Sequence, residues 1–324
     1  MNKRLILLAS ILLFIITTSA HAQVSERTGN DDSDSANLER MIKSPHQYDV
    51  IPGTEKWNNM KNAEEKREAC YVSKEEAEKM TTPALLETVL QYPLLVDIFA
   101  YDDIATGFTM VSKYCPGIMT LINRNDAIKV LGQFEKTSNG VLRSLYIQCI
   151  GQYITKISGM SDDFEGQSKG TATTVYTPKN TPVAATHNRT WTDSGFTYNQ
   201  ALAVHYAYQQ AYPSISVIAS VHPGYNCHAY AWYSQSLTTY WIPNPTAYIT
   251  DGSYSSSSCI NGRKVTYYTS SEGYIHSGIV ATATSSYSTT RIISKWGVLG
   301  LYNHYVDDCP YYSSGVTIQW WVLN

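Results

Sequence analysis

Pro223-Gly224-Tyr225-Asn226-Cys227-His228-Ala229-Tyr230-Ala231-Trp232 is the stretch on which the reading turns. A Pro-Gly loop runs into Asn226, a residue type that caps helices, and the small and aromatic residues after it can wind as a buried helix. Cys227 then falls on the first helical turn. Unpaired backbone N–H groups and the positive end of the helix dipole favour a thiolate there, which suits a nucleophilic cysteine. The same cysteine could instead be a small buried hydrophobe or half of a disulfide.

Cysteine nucleophiles need a base, usually a histidine that the fold brings close. Tyr274-Ile275-His276-Ser277-Gly278-Ile279-Val280 offers one within a β-branched and aromatic run that reads as a strand. Simple alternation puts His276 on one face with Tyr274 and Gly278, and Ile275, Ser277 and Ile279 on the other. Gly278 would leave open space beside the imidazole.

A cysteine opening a helix, followed by a His-x-Gly-Ile-Val strand and then a further strand, resembles the papain-like cell-wall hydrolases: the NlpC-type peptidases and CHAP amidases. The resemblance covers about the last hundred residues. It implies a papain-like domain with the cysteine-bearing helix packed on an antiparallel sheet, Cys227 as nucleophile and His276 as base. Part of the NlpC-type group uses a histidine as third polar residue, and His304 matches that role on chemistry. Ser294, Asn303, Asp307 and Asp308 are the substitutes.

Composition bounds the rest. Lys3 and Arg4, the apolar Leu5 to Ile16 and Ala20-His21-Ala22 read as a signal peptide cleaved after Ala22, so the mature chain is expected to be secreted or periplasmic. That apolar run is too short to span a bilayer, and no later stretch replaces it as an integral membrane segment. A net charge of −3 gives no footprint for nucleic acid. Residues 166–324 hold 12 charged side chains and 19 of the 26 tyrosines, which suggests two parts built for different work.

Residues 23–61 read as a flexible leader and 62–156 as an all-helical domain. Ser73 with Glu76 is a capping-box signature, Thr82-Pro83 starts a helix, and Pro93 should kink or split it. Helices are expected over Asp103 to Tyr114, Asn125 to Phe134 and Asn139 to Ile154. Glu75, Glu76 and Glu78 read as a solvated helix face. The Gly/Ser/Thr/Asn/Pro-rich residues 157–190 read as a linker, and 191–324 as the second domain. There Tyr198 to Tyr212 is helical and strands are expected at Arg263–Thr269, Tyr274–Thr284, Thr289–Lys295 and Val316–Leu323, making the chain α+β.

Six cysteines in an exported chain suggest disulfides. If Cys227 is kept for chemistry, Cys259 and Cys309 can pair, worth about 4 kcal/mol by loop entropy. Cys70, Cys115 and Cys149 then leave at least one thiol over. Cys227, His228, His276 and His304 are zinc-type residues, but no metal spacing supports a site, and no cofactor is expected. His228 should point away from Cys227's partner.

The expected function is thiol-dependent amide hydrolysis. Cys227 attacks, His276 relays the proton, and the Cys227 backbone N–H at the Asn226-capped turn holds the oxyanion. Export and the resemblance together imply peptidoglycan stem peptides as substrate, with the helical domain as an intramolecular regulator. The alternatives are a protein-directed cysteine peptidase or transferase, and a secreted non-catalytic binding module whose aromatic residues contact carbohydrate or protein.

Overall fold

Local chemistry sets the helices. Ser73 Oγ accepts the Glu76 N–H at 3.1 Å to open the Lys74–Lys79 helix, as the capping signature predicts. Asn62 caps Ala63–Ala69 and Asp103 caps Ile104–Val111 in the same way. The Thr82–Leu90 helix carries proline in its first turn, and after it Leu95–Phe99 forms a separate 3₁₀ turn, the split that Pro93 predicts. Gly117–Ile122, Ala127–Thr137 and Val141–Ile157 complete this series, with Leu85, Leu86, Val89, Leu94, Leu95, Ile98 and Phe99 buried.

The computed structural model describes residues 41–101, 103–159, 170–236 and 239–324. The expected signal peptide and the first part of the expected leader, residues 23–40, lie outside the described residues. Of the remaining leader, Glu55–Asn58 is a short helix whose Trp57 is buried and donates its indole N–H to Ala211 O at 2.9 Å. One large ring anchors a stretch that is polar on average. Likewise, residues 171–187, whose composition reads as linker, pair as a hairpin.

In chain order the strands are β1 Thr171–Tyr176, β2 Pro182–His187, β3 Ser216–Ala219, β4 Tyr240–Trp241, β5 Tyr254–Ser256, β6 Lys264–Thr269, β7 Gly273–Thr282, β8 Arg291–Lys295, β9 Leu301–Tyr305 and β10 Thr317–Leu323. They form a three-stranded sheet, β1-β2-β4, and a seven-stranded sheet in the order β3-β9-β8-β7-β6-β10-β5. Every pairing is antiparallel. The architecture is therefore α+β.

Strand alternation gives the large sheet two different faces. Val265, Tyr267, Val280, Ile292 and Tyr302 join one hydrophobic core with the helices of residues 63–157 and with the Tyr198–Ala211 helix. Ile279 and Leu301 face a second core with Tyr225, Ala229, Tyr230, Ala231, Trp232, Ile242 and Tyr248. Ile42–Asn324 is one compact unit. Among the described residues no helix is long and apolar enough to cross a membrane.

Buried ion pairs fasten the first core. Lys66, fully buried on the Ala63–Ala69 helix, pairs with Asp308, whose second oxygen accepts the Ser214 hydroxyl at 2.6 Å. Its neighbour Arg67 donates to Pro310 O at 3.0 Å and to Tyr312 O. Glu75 and Glu78, by contrast, are exposed, as expected of a solvated face, whereas Glu76 is half-buried with Oε1 2.9 Å from His46 Nδ1. Removing one member of a buried pair strands the other charge. Lys66→Met should therefore cost about 3–5 kcal/mol in urea unfolding, and adding Asp308→Leu should recover much of it; a Lys66→Met loss below about 1 kcal/mol would contradict this role.

Candidate functional site

Asn226 caps as its residue type predicts. Its Oδ1 accepts the Ala229 N–H at 3.0 Å and the Ile242 N–H at 3.2 Å, while its Nδ2 donates to Ile242 O at 2.8 Å. Cys227 and His228 form the first helical turn, and Ala229–Tyr233 continues as a π-turn, with Ser234 N–H reaching back to Ala229 O at 3.0 Å. Such wide turns interrupt the regular ladder. Cys227 is 3% exposed.

His228 points into the sheet. Its Nδ1 lies 2.8 Å from Ser277 Oγ, and the Trp232 indole N–H donates to the same oxygen at 2.9 Å. The ring also bonds the Tyr274 backbone. Burial pulls His228 down to about 4, against that backbone bond. His228 thus stitches the Cys227 helix to β7.

The Cys227 helix consequently lies on the Ser277 and Ile279 face of β7, and His276 lies on the other face. Its ring stacks on Tyr311, with centroids 3.7 Å apart, and meets Tyr267 edge-on at 5.3 Å. His276 is fully buried, and neither ring nitrogen has a hydrogen-bond partner. Burial, followed by His304 and His228, holds it neutral well below the usual histidine range. The expected Cys227–His276 dyad is therefore split by the strand that carries the histidine.

Two details of the strand reading are corrected with it. His276 pairs with Tyr267 but Tyr274 pairs with Tyr268, so Ile275 is the extra residue of a β-bulge. The bulge breaks the alternation: Ile275 packs with the His276-side core, and Tyr274 meets Trp321, 6.4 Å away. Gly278 leaves no open space either. A Cβ there would sit 3.0 Å from Ile293 O and 3.1 Å from Ser294 Cβ, so glycine permits close strand packing.

The third-residue candidates sit with His276 or are otherwise engaged. His304 pairs across from Ile292 on the His276 face; its Nε2 is 2.7 Å from Ser294 Oγ and its Nδ1 2.8 Å from Tyr305 O. Burial lowers His304 to about 3. Asn303 accepts from Arg291 Nε at 2.9 Å, Asp308 is bound to Lys66, and burial raises Asp307 to about 6. The zinc-type residues do not converge, since Cys227 and His228 are on one side of β7 and His276 and His304 on the other.

Cys259 and Cys309 are not bonded to each other, contrary to the expected pairing. Cys309 is sealed beneath the sheet against Tyr267 Oη at 3.5 Å and Val306 O at 3.6 Å, whereas Cys259 is half-buried near Thr284 and Thr290. Sequence reasoning missed Ser277, Trp232 and Tyr311 as the partners that hold the two histidines. Adjacency to His276 was the one available signal for Ser277. No protein-family model, curated protein or solved structure matches the chain.

A neutral buried His276 has a pH signature. Its folded pKa lies below the unfolded value, so its contribution is complete above about pH 6.5 and is lost as pH falls. Asp97, raised to about 7 by burial, and Asp307 act in the opposite sense, but they cancel when the wild type is compared with His276→Phe. The variant, which removes two unpartnered nitrogens, should gain about 1 kcal/mol at pH 7. Below pH 6.5 its advantage should grow by about 1.4 kcal/mol per pH unit. Urea titrations from pH 4.5 to 8 measure this, and a pH-independent difference would contradict the assignment.

Proposed function

We propose that this chain is a non-catalytic binding protein for a neutral polysaccharide. Its contact surface would be a strip of half-buried rings beside the Cys227 helix: Tyr268, Tyr274 and Trp321. The observation that carries the reading is the continuity of this strip on the sheet face that also bears the Cys227 helix. Tyr268 and Tyr274 have ring centroids 5.3 Å apart, and Trp321 adjoins Tyr274. Trp321 is oriented by its indole N–H donating to Thr266 Oγ1 at 2.9 Å. Gln319, opposite Thr266 and two residues from Trp321, has an amide oxygen with no hydrogen-bond partner.

Rings with one open side supply apolar contact, and neighbouring amide and hydroxyl groups supply hydrogen bonds. The combination suits a polyhydroxylated, uncharged ligand. The scarcity of charge in residues 166–324 argues against an ionic one.

A second reading keeps Cys227 as the nucleophile of an exported amidase acting on peptidoglycan stem peptides, the chemistry implied by the resemblance to papain-like hydrolases. The Asn226-capped turn favours it. It requires a proton acceptor on the Cys227 side of the sheet, where His228 is already held by Ser277 and the Tyr274 backbone.

Binding isotherms with peptide-free peptidoglycan glycan strands and with a neutral β-glucan test the proposal. Saturable binding is expected to at least one, weakened about 2- to 10-fold by Tyr274→Ala and by Trp321→Ala, with unchanged far-UV circular dichroism. Binding to neither, or binding indifferent to both substitutions, would refute it. Release of peptides from intact peptidoglycan, abolished by Cys227→Ala, would install the second reading.

A further inference from the structure

The sequence holds two Asn-Gly steps, Asn139-Gly140 and Asn261-Gly262. Asparagine is among the chemically labile residues, and a following glycine has no Cβ to keep its backbone nitrogen away from the carboxamide carbon. Both pairs are exposed, and a Cβ built on either glycine meets nothing within 4 Å. Crowding does not separate the two steps, but hydrogen bonding does.

Asn261 is held at both groups that would have to move. Its Oδ1 accepts the Ala283 N–H at 2.6 Å, and the Gly262 N–H donates to Val280 O at 2.8 Å. The Val280 N–H returns to Arg263 O at 2.8 Å, so the turn before β6 is clamped to β7. Bringing the Asn261 carboxamide carbon onto the Gly262 nitrogen breaks the first two of these bonds.

Asn139 lies in the link Ser138-Asn139-Gly140 between the Ala127–Thr137 and Val141–Ile157 helices. Among the described residues, neither its carboxamide nor the Gly140 N–H has a hydrogen-bond partner. Gly140 stands at φ 100°, outside the helical conformation on either side. Asn139 also lines an open depression with Leu90, Arg143 and Tyr146, where water reaches the carboxamide.

We propose that Asn139 is a site of spontaneous deamidation and that the fold protects Asn261 from the same reaction. The Gly140 nitrogen gives its proton to solvent and attacks Asn139 Cγ. A new C–N bond forms, the carboxamide C–N bond breaks, and ammonia leaves after taking a proton from solvent. The cyclic succinimide then takes up water. Opening at Cγ restores the peptide bond and leaves an aspartyl side chain; opening at the backbone carbonyl leaves an isoaspartyl link. In net, one water is consumed and one ammonia released, with no oxidation or reduction.

Either product places a carboxylate at the start of the Val141–Ile157 helix, whose Gly140 cap supplies no side-chain acceptor. Negative charge is favourable at that end of a helix. The isoaspartyl form also lengthens the backbone of the link by a methylene.

The test is to incubate the full chain at mildly alkaline pH, folded or in guanidinium chloride, and to follow the two Asn-Gly peptides by mass spectrometry, with fragmentation that tells aspartyl from isoaspartyl. In denaturant, where neither step is held, the two should convert at similar rates. In the folded chain, conversion at position 139 should be at least about 10-fold faster than at position 261, where reaction waits on local opening. The acidic species that accumulates in the folded wild type on isoelectric focusing should be absent from Asn139→Gln. Equal rates in the folded chain, faster conversion at position 261, or no conversion at position 139 over the time that converts it in denaturant would overturn the proposal. The rates are read on the wild-type chain, so the result does not depend on how a variant folds.

Discussion

The alternation of β7 decides what this molecule can do. A strand presents successive side chains to opposite faces, and His276 and Ser277 are successive. Once His228 and Trp232 dock on Ser277, the helix that begins at Cys227 is committed to that face. His276 is committed to the other, stacked against Tyr311 within the core shared with the helices. No rotamer change carries an imidazole ring through a hydrogen-bonded sheet, so the separation is a property of the topology.

The two faces then take on different characters. The His276 face is sealed by rings and by the buried pairs of Lys66 and Arg67, and its histidines are held neutral there by burial. The Cys227 face is closed over Ile279 and Leu301 by the capped π-turn, but it remains partly open along Tyr268, Tyr274 and Trp321. The bulge at Ile275 connects these facts: it turns Tyr274 away from His276 and toward Trp321, creating the strip from a strand that would otherwise have buried that ring.

Much of the fold was legible in the sequence. Ser73, Thr82-Pro83 and Pro93 marked helix boundaries through side-chain and ring chemistry that acts within a few residues, and the strand ends fell close to those expected. Asn226 was read correctly as a cap for the same reason. Trp57, the β1–β2 hairpin and β9 were missed, because composition averages over single anchoring rings and over strands whose pairing is non-local. Two non-local facts were out of reach of the local pattern: the bulge at Ile275, which re-aims Tyr274, and the face of β7 on which the Cys227 helix docks, which is set by His228 and Trp232 meeting Ser277.

The most direct measurement is the alkylation rate of Cys227 against pH in the folded chain, compared with His276→Ala and resolved from the other cysteines by peptide mapping. With the sheet between thiol and imidazole, the labelling rate of Cys227 should keep the same pH profile in His276→Ala as in the wild type. Rapid labelling below about pH 7 that disappears with His276→Ala would mean that the two groups meet, and would contradict the separation on which the account rests.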